Sequence, residues 1–185
     1  MKIFLSALLG GLAVFTWSFV SWMVLPWHDA HIFAFKDEAA VAEVLKANAP
    51  APGLYMMPDP GSGDDWKAGA ERMRAGPFFF GAVRPGQRDW SFRHLIIGSL
   101  LTQVAGALII TLLVKSARFG NYLGRVVFAG GIGLAAGILG HLPSLNWWEF
   151  PRGWTVINIA DLVIGWCIGG LVIAAFTRPR PQREW

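Results

Sequence analysis

LIIGSLLTQVAGALIITLLV, residues Leu95–Val114, runs for twenty residues without a charge, and it decides the fold class. An α-helix rises about 1.5 Å per residue, so this run covers the roughly 30 Å hydrocarbon core of a bilayer. Three other stretches have the same character: Ile3–Leu25, Tyr122–Leu142 and Trp154–Phe176. Their expected stops are Pro26, Pro143 and the Arg178-Pro179-Arg180-Pro181 tail, with Lys115 closing the Leu95 run. Composition agrees. Only 15% of residues are charged and mean hydropathy is +0.45, whereas soluble domains carry about 25% charge. Ten tryptophans and thirteen phenylalanines supply the aromatic load of a chain that meets a membrane interface.

The chain is therefore expected to be an all-α membrane protein, a four-transmembrane-helix bundle with a small α+β extracytoplasmic loop domain. Residues 1–26 hold the first span, 27–93 the loop domain, 94–176 the remaining three spans and 177–185 a basic cytoplasmic tail. The first span follows Lys2 as a secretory signal would, but it is too long, and Trp17–Trp22 replaces a small-residue cleavage site. A retained anchor is expected.

Orientation follows from basic residues in short loops and helix flanks. With both termini cytoplasmic, the inner side holds Lys2, Lys115, Arg118, Arg125, Arg178, Arg180 and Arg183 against Glu184. The short outer loop, 143–153, holds only Glu149 and Arg152, and the long loop carries eight basic and nine acidic residues. The net charge of +4 is thus a topological signal. No basic stripe interleaves with exposed aromatics, so nucleic acid is not an expected partner.

Within the long loop, Asp37–Asn48 reads as an amphipathic helix with Val41, Val44 and Leu45 on one face, ended by Pro50 and Pro52. Gly53–Met57 and Pro77–Val83 are apolar runs suited to pair in a two- or three-stranded sheet. Pro58–Asp65 between them is rich in turn residues. Phe33, Phe35, Tyr55, Phe78–Phe80, Trp90 and Phe92 would form the core or lipid contact of this region.

Helices in lipid associate through close packing of small residues. Ala129, Gly133 and Gly137 recur every four residues, with His141 on the same row; Gly165 and Gly169, and Ser6 and Gly10, repeat the spacing. These rows pack the spans against one another or dock a partner subunit or a second copy. Asp161 lies seven residues after Trp154, about 10 Å into the last span. A charge there costs about 3 kcal/mol on insertion scales, so it needs a partner, a proton or water. Asn158 and Gly165 share its face; Gln103, with Ser99 and Gly106, is the polar stripe of the second span. Interhelical hydrogen bonds are one role for these residues, and a ligand or proton site built from Asp161, Asn158, His141 and Gln103 is the other.

All four histidines fall on the outer side. His28 and His31, at i,i+3 spacing, are the candidate metal ligands, with Asp161 or Glu149 as further donors. His94 and Gln103 lie about 180° apart on a helix and cannot both face one interior site. Cys167, the single cysteine, excludes an internal disulfide and any multi-cysteine cluster, and it reads as a packing residue. No P-loop, zincin helix or nucleophile elbow occurs. Trp22, Trp27, Trp90, Trp147, Trp148 and Trp154 mark the outer boundary as an interfacial belt.

Ser21-Trp22-Met23-Val24-Leu25-Pro26-Trp27-His28, Gly53-Leu54-Tyr55, Gly76-Pro77, His141-Leu142-Pro143, Asn146-Trp147-Trp148 and Asp161-Leu162-Val163-Ile164-Gly165-Trp166 resemble a family of uncharacterised small bacterial membrane proteins. The resemblance implies four spans and a bacterial inner-membrane location. It brings no activity.

Three functional expectations follow. The first is a non-catalytic accessory or scaffold subunit of a larger membrane complex, partnered by another membrane protein or by itself. The second is a small-molecule site for quinone, haem, metal or protons in the outer half of the bundle. The third is a minimal oligomeric transporter.

Overall fold

The computed structural model describes residues 1–61, 65–87 and 91–177. In chain order the elements are α1 (Lys2–Met23), a short 3-10 turn (Asp29–His31), α2 (Glu38–Asn48), β1 (Gly53–Met57), α3 (Trp66–Ala75), β2 (Phe79–Val83), α4 (Phe92–Ser116), α5 (Tyr122–Trp148) and α6 (Arg152–Phe176). Helices α1, α4, α5 and α6 are each long and apolar enough to cross a bilayer, where a helix satisfies its own backbone polar groups. The chain divides into two compact units, Ala34–Trp90 and the helical remainder. Residues 27–33 pack with the helices.

In the helical unit, α1 lies antiparallel between α4 and α6, and α5 runs along the far side of α6. Helix α4 touches α5 and α6 only lightly. Small residues set these approaches. A Cβ on Gly11 would sit 2.6 Å from the Val104 Cα, and one on Gly10 would sit 2.8 Å from Ile173. Gly165 and Gly169 face Trp17 and Val14, so that row receives α1. The α5 row faces α6: a Cβ on Gly133 would lie 2.6 Å from the Leu162 carbonyl oxygen, and one on Gly137 would lie 3.1 Å from the Ile159 Cα. Cys167 packs on Gly130. Each of these glycine rows is thus occupied inside the chain.

The two ends of this unit differ in composition. The basic end holds the α1 N-terminus, the α4–α5 turn and the α6 C-terminus; the tryptophan end holds the opposite termini and the α5–α6 turn. Val14, Ala107, Ile110, Val114, Ala129, Trp166 and Ile173 form one buried cluster, weighted toward the basic end. Ser6 and Thr111 share a buried hydroxyl–hydroxyl bond of 3.2 Å there. Arg125, 4% exposed, donates from Nη1 to the Phe119 carbonyl at 3.1 Å.

Helix α5 corrects the expected stop at Pro143. It passes through the proline, which lacks the N–H that would bond the Leu139 carbonyl, and continues to Trp148. It ends where Glu149 turns left-handed (φ 54°) and the Ser144 carbonyl accepts from the chain beyond. One missing rung is tolerated in a helix supported by its neighbours.

In the second unit, the Asp37 carboxylate caps α2 by accepting from the Ala40 N–H at 2.9 Å. Val41, Ala42 and Leu45 are the half-buried positions, while Val44 is 62% exposed. The packing stripe is rotated from the expected one, because at 100° per residue Ala42 and Leu45 flank its centre and Val44 does not. The sheet has two antiparallel strands, with Gly53 opposite Val83 and Met57 opposite Phe79. Helix α3, absent from the sequence expectation, connects them. Arg72 pairs with Asp65 at 3.2 Å, Gly69 lies against the Pro60 carbonyl, and Gly76 at φ 64° ends the helix. Residues 62–64 of the expected turn, Trp90, and the tail residues Arg178, Arg180, Arg183 and Glu184 lie outside the described residues.

Candidate functional site

Because α4 leaves α5 and α6 nearly free, the tryptophan end holds a half-open cavity of about 430 Å³, with Phe19, Met23 and Phe92 exposed in its lining. Three helices form its walls. From α4 come Phe92, Ile96, Ser99 and Gln103, and from α6 Asn158, Asp161, Leu162 and Gly165, each set on a single helix face. The α1 lining is broader: Val14, Trp17, Ser18 and Trp22 are joined by Phe15, Phe19 and Met23, around more than half of the helix. His141 reaches in from α5, and Trp166 closes the end nearest the core. Gly106 holds α4 against the Trp166 ring, where a Cβ would meet the indole at 2.9 Å.

The polar groups are unevenly satisfied. Trp17 Nε1 donates to Asp161 Oδ1 at 2.6 Å, and it also lies 3.2 Å from the Asp161 backbone oxygen. Asn158 spends its amide N–H on the Trp154 carbonyl at 2.7 Å, along its own helix. Among the described residues, the side chains of Ser99, Gln103 and His141 make no hydrogen bond to another protein group. Ser99 is exposed and Gln103 and His141 are half-buried, so these polar groups are open to a bonding partner that enters the cavity. Among the described residues, the cavity lining has Asp161 as its one carboxylate, no lysine and no arginine.

All four residues singled out in the sequence, Asp161, Asn158, His141 and Gln103, line this one cavity. His94 does not; it borders a shallow groove along α4 with Gly98, Ser99, Thr102 and Gln103. Trp17, Trp22 and Trp166 were not foreseen as cavity residues. The signal for Trp17 was present: it lies seven residues after Gly10 and four before Ser21, on the small-residue face of the first span.

The outer histidines are placed differently. His28 is fully buried. Its ring stacks on Trp22 at 3.9 Å and meets Trp27 and Trp154 edge-on at 5.6 and 5.9 Å. Nδ1 lies 3.3 Å from the Ser21 carbonyl oxygen, and Nε2 has no hydrogen-bond partner. With Nδ1 donating to that carbonyl, Nε2 of the neutral ring carries the lone pair and is left unpaired among the indoles. Trp27 Nε1 bonds Ser21 in turn. His31 packs against Gly153. No third His, Cys, Asp or Glu joins these two histidines among the described residues. Trp22, Trp27 and Trp154, read from sequence as boundary anchors, here build a box that seats the turn after α1.

Chemically, the cavity offers a hydrogen-bonding head region at Asp161, Gln103 and His141 and an apolar region at Phe15, Phe19, Met23 and Phe92. Its volume falls in the usual range of small-molecule sites. His141 is the one imidazole in the lining. Neither a family model, nor a curated protein, nor a solved structure matches the chain.

Proposed function

We propose that this protein is an inner-membrane binding protein for a small amphipathic molecule, seated in the cavity between α1, α4 and α6. Both termini are cytoplasmic in this reading, supported by Lys2, Lys115, Arg118 and Arg125 at the basic end, so the cavity lies in the outer half. The observation that carries the reading is the convergence of Asp161, Gln103, His141 and Asn158 from three helices onto one aromatic-walled space. Helices that needed only internal hydrogen bonds would pair these groups with each other. Here half-buried Gln103 and His141 and exposed Ser99 make no such pairs and stay open to a ligand. The buried cluster beyond Trp166 supports a binding site more than a passage through the bundle, which sets the transporter reading behind it.

An accessory or scaffold role in a larger membrane assembly is the second reading. It loses the Gly133–Gly137 row as a docking surface, since α6 occupies it. Its support is the apolar pair Ile32 and Phe33, 56% and 82% exposed after the 3-10 turn.

A photoreactive benzoylphenylalanine at Ile96, in the cavity wall, separates the two. Irradiation in the native membrane should add a small non-phospholipid mass, whereas the same residue at outward-facing Ile109 should capture phospholipid. A polypeptide adduct at Ile96, or the same phospholipids at both positions, would contradict the proposal.

A further inference from the structure

We infer that the molecule this cavity takes is a hydrophobic organic cation. This rests on the binding-site reading above and adds the charge of the ligand. Among the described residues, Asp161 is the single carboxylate in the lining, which includes no lysine or arginine. The ion pairs among the described residues, Lys46–Glu43 and Arg72–Asp65, both lie in the other unit. The Trp17 indole N–H donates to Asp161 Oδ1 at 2.6 Å. Trp17 carries no charge, so it orients the carboxyl group without supplying a counter-charge to it. A cationic ligand is the partner that would supply one, in place of a proton or water.

The rest of the wall suits the same class. Trp17, Trp22, Trp166 and Phe92 all line the cavity, and aromatic rings attract cations through their quadrupoles, more weakly at exposed positions such as Phe92 than at buried ones. Their area also accommodates apolar substituents around the charged centre. A neutral quinone would bond Gln103, Ser99 or His141 and leave Asp161 without a counter-charge. A bare metal ion would need several clustered donors, and no group of three His, Cys, Asp or Glu occurs among the described residues.

The test uses the full chain in discs of zwitterionic lipid, with empty discs as background. Equilibrium dialysis measures tritiated tetraphenylphosphonium, neutral triphenylphosphine oxide and neutral decylubiquinone in parallel. The wild type should bind the phosphonium saturably, at least about tenfold more tightly than the phosphine oxide. Asp161→Asn keeps an oxygen for the Trp17 N–H but removes the charge, and it should lose about tenfold or more in phosphonium affinity; Asp161→Glu should retain most of it. Should the Asn variant fail to fold, the wild-type comparison of cation with neutral analogue decides alone. Equal affinity for phosphonium and phosphine oxide, or undiminished phosphonium binding by a folded Asn variant, would overturn the inference. Saturable decylubiquinone binding without phosphonium binding would overturn it too, while leaving the cavity reading intact. Binding of none of the three would count against both.

Discussion

The indole N–H of Trp17 on α1 donates to the carboxylate of Asp161 on α6 at 2.6 Å, joining residues 144 positions apart in the chain. This bond fixes the wall of the cavity where the only carboxylate among the described lining residues sits, and it explains how an acid is held within an apolar span. The adjacent Gly165 permits it: a Cβ there would already be 3.0 Å from the Trp17 ring.

Trp17→Phe should therefore destabilise the bundle more than Asp161→Asn. The phenylalanine keeps an aromatic ring but strands the carboxylate oxygen, whereas asparagine still accepts from the indole. Unfolding by sodium dodecyl sulfate, followed by circular dichroism, should show a loss of about 1–2 kcal/mol for Trp17→Phe. An unchanged midpoint would mean that the bond contributes nothing net to the fold.

The α5–α6 contact makes a graded prediction. Gly133→Ala drives a methyl into the Leu162 carbonyl and Trp166, and Gly137→Ala meets Ile159 at 3.1–3.4 Å, while Gly131 has open space. The expected order of destabilisation is Gly133→Ala, then Gly137→Ala, then Gly131→Ala near zero, with overpacking at Gly133 costing about 1–3 kcal/mol. The unfolding midpoint should move with the oligomeric state unchanged. Dissociation of an assembly without loss of folding would show that the row serves a partner.

His28→Ala should open a void in the Trp22–Trp27–Trp154 box and cost about 2–4 kcal/mol. His28→Phe should be far milder, since it keeps a planar ring and removes the unpaired Nε2. Added zinc should leave the melting temperature of the wild type unchanged. A zinc-dependent rise abolished by His28→Phe would restore the metal reading of His28 and His31.

In the Ala34–Trp90 unit, Asp37→Ala removes the carboxylate that caps α2 at Ala40. Loss of such a cap costs about 1 kcal/mol, so amide exchange at Ala40 should quicken roughly fivefold. Exchange in α5, far along the chain, should not respond.

Hydropathy made the four spans legible because a bilayer demands length and apolarity, both of which are written linearly. Spacing alone also placed Asp161, Asn158 and Gly165 on one inward face, since a single helix sets that geometry. The Trp17 partnership was less visible: it depends on the register between α1 and α6, which no local pattern encodes. Pro143 misled because proline acts as a stop where water competes for the backbone, and here a packed helix carries past it. Helix α3 was hidden by polarity. WKAGAERMRA offers little apolar periodicity, and its stabilising contacts, Arg72 with Asp65 and Gly69 with Pro60, appear only once the chain has turned back on itself. His28 stood out as a candidate metal ligand through its i,i+3 spacing to His31; the three indoles around it come from two segments far apart in sequence.

The most direct measurement of the central claim is native mass spectrometry of the protein extracted gently from its own membrane. The expected spectrum is a monomer or homo-oligomer carrying a discrete small-molecule mass, with loss of that mass when Gln103 and His141 are both replaced by leucine. A stoichiometric polypeptide partner with no small-molecule adduct would contradict it and make the protein an accessory subunit.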